Sequence, residues 1–162
     1  MIESTKQLAQ VAAIGIGATA VLDAWVLVLK RLGVPALDFA HLGRWVAHTW
    51  RGTWRHASIA RAEPVRGELA LGWFAHYAVG IAFAALLVAL HGTRPAPGAA
   101  VALGMATVAA PWFVMQPAMG AGIAASRTAT PVRNALRNLA NHTVFGFGLY
   151  LAALMSRTFI PS

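Results

Sequence analysis

The chain has 162 residues, 58% hydrophobic and 11% charged, with no cysteine. Soluble domains carry about 25% charged residues, so a water-soluble globular core is a poor fit, and disulfides and thiolate metal sites are excluded. The net charge of +8 does not point to nucleic acid, because ten of the 13 Lys and Arg fall between residues 30–66 and 127–137, at the ends of apolar stretches.

Four stretches are long enough to cross a bilayer, which takes about 20 apolar residues. The first covers about residues 8–29 and holds Asp23. Its apolar run is too long for a signal peptide and Lys30–Arg31 follow directly, so an uncleaved span is expected. Gly33 and Pro35 then break the helix. Residues 38–51 predict an amphipathic helix, with Asp38 as N-cap and Gly52 as stop. Phe39, Leu42, Trp45, Val46 and Trp50 share one arc; His41, Arg44, His48 and Arg51 share the other. Such a helix lies in the headgroup plane, so Trp45, Trp50, His41, Arg44, His48 and Arg51 are assigned to the membrane interface.

A polar connector, 57–68, leads to the second span at about 69–90, which holds His76. The Pro/Gly-rich turn 91–98 leads to the third, at about 99–119. Pro111 and Pro117 interrupt that span, each removing a backbone hydrogen bond and disturbing the carbonyl four residues earlier. The loop 126–132 leads to the fourth span, about 136–156, which contains His142. Basic residues flank spans on the cytoplasmic side, so the connector 30–68 and the loop after the third span are expected inside. Both termini are then expected on the outer face.

Side chains four apart share a helix face. Gly15–Thr19–Asp23, Gly72–His76–Gly80–Ala84 and Asn138–His142–Gly146 all keep that spacing, the pattern of helix faces that approach one another. Asp23, His76 and His142 lie about 8–12 Å below the cytoplasmic surface at 1.5 Å rise per residue, and Gln116 about 16 Å. These four, bordered by Tyr77 and Asn141, are the candidate proton- and solute-binding group. An intramembrane carboxylate takes a proton or finds a partner. The expected architecture is a single all-α membrane domain, 1–162: a four-helix bundle with one interfacial helix after the first span.

The strings LDFAHLGRWVAH (37–48), PVRGELALGWFAHYAVGIAFA (64–84), APWFVMQPAMGAGIAASRTATP (110–131) and NHTVFGFGLYLAAL (141–154) carry a resemblance over nearly the whole chain. Together they resemble a family of small bacterial multi-pass membrane proteins, domain of unknown function family 2938. The resemblance implies a four-span inner-membrane protein, whose outer face is the periplasm, and no reaction. One departure is Ala129, where the family pattern after SRT leads one to expect Pro.

Three functions fit these residues. The first is a small carrier or channel-like protein, with Asp23 binding a proton, His76 and His142 relaying it and Gln116 bonding a solute. Four spans make a thin pathway, so this reading calls for a homo-oligomer. The second is a redox protein in which His76 and His142 ligate haem or, with Asp23, a metal. The third is a scaffold or assembly factor whose basic segment meets anionic lipids. An enzyme is not expected: there is no GxSxG, and Ser126 has no adjacent His or carboxylate in sequence.

Overall fold

A computed structural model describes residues 2–159, with side chains from residue 5 to residue 158. Met1 and residues 160–162, where the two periplasmic ends were expected, lie outside the described residues. The protein is all-α; no strand occurs among the described residues. Its helices are α1 (Ile2–Arg31), α2 (Phe39–Trp50), α3 (Glu68–His91), α4 (Pro97–Ala106), the single turn α5 (Gln116–Ala118) and α6 (Pro131–Phe159). Four segments are long and apolar enough to cross a membrane: Thr5–Arg31, Glu68–His91, Pro97–Ala118 and Pro131–Thr158.

The helices stop where the residues dictate. Gly33, at φ +80°, ends α1, and Gly92, at φ +69°, follows α3. Asp38 caps α2 by accepting from the Ala40 N–H at 2.8 Å. Pro97 opens α4, where a missing N–H costs nothing. The third span is interrupted as its prolines require. α4 stops at Ala106, a π-helical turn occupies Pro111–Met115, and α5 carries Pro117.

The chain divides into two compact units. The first comprises residues up to Pro35, Tyr77–Thr107 and those from Ala140; the second comprises Ala36–His76 and Val108–Leu139. α3 and α6 therefore contribute to both.

In the first unit the core gathers Ile14 and Ala18 of α1, Leu87 of α3, Ala100 of α4, and Phe145 and Leu149 of α6. Glycines permit the approaches: a Cβ on Gly15 would strike the Ile81 backbone, and one on Gly104 the Gly146 backbone. The evenly spaced small residues of α1 and α3 thus meet directly. Large apolar side chains such as Leu8, Leu27 and Leu90 stay exposed, as helices facing lipid tails require.

In the second unit α2 packs on the first turns of α3. Gly43 and Gly72 make this possible, because a Cβ on Gly43 would collide with the Glu68 carbonyl and one on Gly72 with that of Phe39. The buried residues of α2 are Leu42, Gly43, Arg44 and Ala47, while Trp50 is 74% exposed.

Candidate functional site

Within the first unit, side-chain pairs among the described residues join different helices. The Tyr77 hydroxyl donates to Asp23 Oδ2 at 2.9 Å. Trp25 Nε1 donates to Asn141 Oδ1 at 3.1 Å. Thr107 Oγ1 lies 2.8 Å from His142 Nδ1 and donates to the Gly104 carbonyl at 2.6 Å. A hydroxyl has one proton to give, so with Gly104 as its acceptor the Nδ1–H of His142 donates to Thr107. Tyr77, expected at the border of the candidate group, is thus in contact with Asp23. Asn141 is held by Trp25 and His142 by Thr107.

His76 and Gln116 belong to the second unit. The His76 ring packs 4.8 Å from that of Phe39 and 6.0 Å from that of Trp73. Gln116 Oε1 is buried and makes no hydrogen bond among the described residues, as does Trp112 Nε1 one turn earlier. Buried polar atoms without partners are rare and call for a reason. No group of three or more His, Asp or Glu that could hold a metal ion occurs among the described residues.

The α2 segment departs from its sequence reading at one residue. Arg44, expected among the headgroup-facing cations, is only 7% exposed. Its Nε and Nη2 donate to Glu68 Oε2 and Oε1 at 2.9 and 2.7 Å, and its Nη1 reaches the Ile59 and Ala62 carbonyls, both at 3.1 Å. Glu68 Oε2 also accepts the Val65 N–H at 2.8 Å. The physical reason is the planar fork of guanidinium, which matches a carboxylate with two bonds and leaves donors for the turn beneath. Hydrogen bonding to Glu68 raises the Arg44 pKa against the lowering effect of burial, so the clasp stays charged.

The other interface residues have local partners. Trp45 Nε1 donates to the Trp54 carbonyl at 3.1 Å. His41 Nδ1 lies 3.7 Å from Asp38 Oδ2, and Arg51 is exposed. His48 Nδ1 and His56 Nε2 are 2.8 Å apart, a distance that requires at least one neutral ring. Burial and then the nearby His48 lower the His56 pKa; the Ala118 carbonyl acts the other way. That carbonyl also accepts the His56 backbone N–H at 2.8 Å.

Sequence reasoning missed two features here. One is the clasp, because Arg44 and Glu68 are 24 residues apart; a lone acid at the first position of an apolar helix was the available signal. The other is a cavity of about 510 Å³ lined by Arg55, His56, Ala57, Pro117, Gly122, Ile123, Ser126 and Arg127. Its two sides come from connectors some sixty residues apart in sequence.

These features define a four-span, all-α membrane-type protein with polar pairs inside its apolar helices. The chain belongs to the family described as protein of unknown function (DUF2938), which matches residues 12–156. No curated protein and no solved structure matches it.

Proposed function

We propose that the protein is a small inner-membrane carrier, or a carrier subunit, in which the Asp23 carboxyl group exchanges a proton. The observation that carries this reading is the hydrogen bond from Tyr77 to Asp23, between two apolar helices. A carboxyl group in a span is rare and expensive, and such residues usually mark proton or ion pathways. The Tyr77 hydroxyl holds the charged form by donating and turns to accept when the acid is protonated, so the pair accommodates both states. The interrupted third span supports the same reading. Backbone groups freed from the α-helical ladder at membrane depth persist where protein or water re-satisfies them, and Gln116, just after the π-helical turn, carries an unbonded carbonyl oxygen.

In this reading the connectors 32–67 and 119–130 face the cytoplasm and both termini the periplasm, which the clustering of Lys and Arg in those connectors supports. A homo-oligomer would complete the pathway. The test is proton flux into proteoliposomes holding a pH dye, under gradients of amino acids, carboxylates, sugars and inorganic ions in turn. A solute-dependent flux is expected in the wild type and its loss in Asp23→Asn; equal flux in both proteins overturns the reading.

A further inference from the structure

The cavity of the second unit contains neither Asp23 nor Tyr77 in its lining. Its polar and charged lining residues are Arg55, His56, Ser126 and Arg127. Ala57, Pro117 and Ile123 supply an apolar wall, and no carboxylate is present. Elsewhere in the same unit an arginine has found an acid, as Arg44 has Glu68. Two arginines facing a recess without one leave a concentrated positive potential that an anion would neutralise.

The backbone is shaped for this recess. Gly122 sits at φ +78°, and a Cβ there would meet Ser126 Oγ and the Arg127 side chain. Without that side chain the loop turns back on itself, with the Arg127 N–H bonded to the Ala121 carbonyl at 2.8 Å. Ala124 and Ala125 follow in the left-handed region, at φ 47° and 64°. Two successive alanines there are strained, and strain of this kind concentrates at ligand-binding segments. On the other side the His56 and Ile59 N–H groups bond to the Ala118 and Met119 carbonyls, fixing Arg55 and His56 against the loop.

We propose that this cavity binds a phosphate group. Guanidinium forks match the paired oxygens of phosphate, and two forks with a hydroxyl suit its several terminal oxygens better than they suit a lone carboxylate. The volume falls within the roughly 300–1,000 Å³ of small-molecule sites, so a phosphate with an organic substituent fits. Two crossings separate the connectors that form the cavity, which puts both on one face of the membrane. The phosphate therefore comes from an anionic lipid headgroup or from a solute on that face.

Two arms distinguish the sources, both on the full chain in maltoside micelles, which contain no phosphate. Calorimetric titration with inorganic phosphate and glycerol 3-phosphate reads a soluble ligand. Native mass spectrometry after adding phosphatidylglycerol, against phosphatidylcholine, reads a retained headgroup. Saturable binding in at least one arm is expected, weakened about tenfold or more by Arg55→Ala with Arg127→Ala and less than about twofold by Arg133→Ala, an exposed arginine outside the cavity. Binding only in the first arm assigns a solute, and only in the second a lipid; either supports the site. No saturable binding in either arm overturns it, and so does equal weakening by Arg133→Ala. Both cavity arginines are exposed, so the double variant should keep its unfolding midpoint. Should it unfold, Arg127→Lys, which keeps the charge but not the fork, gives the same comparison.

Discussion

The two units are held by different kinds of contact. The first has five Lys or Arg and two acids, and its helices meet through glycines, a buried core and single side-chain hydrogen bonds. The second has eight Arg and three acids, and its short elements are tied by an ion pair, a histidine pair and backbone bonds between loops. Long apolar helices carry their own backbone bonds and need only shape to associate. Short turns have little of that, so charge and loop hydrogen bonds must hold them in place.

The sharpest way to break this contrast is at the clasp. Arg44→Ala would leave Glu68 half-buried without its cation, and removing one partner of a buried pair costs about 3–5 kcal/mol. Thermal unfolding in detergent should show the loss. Arg44→Met together with Glu68→Leu should recover much of it, because an apolar pair leaves no uncompensated charge. A double variant as unstable as the single would mean that the turn carbonyls of Ile59 and Ala62, and not the charge, set the value.

In the first unit the largest effect is expected from bulk. Gly104→Ala puts a methyl group against the Gly146 backbone, which has no rotamer to escape into, and overpacking of this kind costs about 1–3 kcal/mol. The same measurement on Gly98→Ala, where the Cβ meets nothing, should show almost no change. Removing a single polar tie is milder. Tyr77→Phe and Asn141→Ala should each cost about 0.6–2 kcal/mol, the range for bonds between membrane helices. If Tyr77→Phe proves as costly as Arg44→Ala, the distinction between the units fails.

The smallest effect is a pH dependence confined to the second unit. His56 binds a proton less readily in the folded chain than its ordinary value of 6.5 implies. The unfolded chain therefore takes up more protons as the pH falls. The contribution of this group is whole above about pH 6.5 and is lost as the pH drops through the lower folded value. Unfolding midpoints should decline below pH 6.5 in the wild type and less steeply in His56→Gln. Parallel declines would assign the slope to other groups.

Much of the fold could be read from the residues because its signals are local. About 20 apolar residues announce each span, Asp38 and Gly52 bracket α2, and Pro111 marks the interruption of the third span, which opens one turn before it. The four-residue stripes also named glycines that do meet, Gly15 and Gly80 among them. Arg44 was misplaced for a reason of the same kind. Helical periodicity assigns a residue to an arc but cannot tell that the arc faces Glu68, and an arginine with a carboxylate in reach need not stay in water. The cavity was beyond local reading altogether, since neither Arg55–His56–Ala57 nor the run from Pro117 to Arg127 makes a recess alone.

The backbone bonds from His56 to Ala118 and from Ile59 to Met119 make the proline-broken third span and the connector after α2 a mechanical linkage. Any straightening or tightening of the π-helical turn that moved residues 118 and 119 would have to break those two bonds or carry the connector with it.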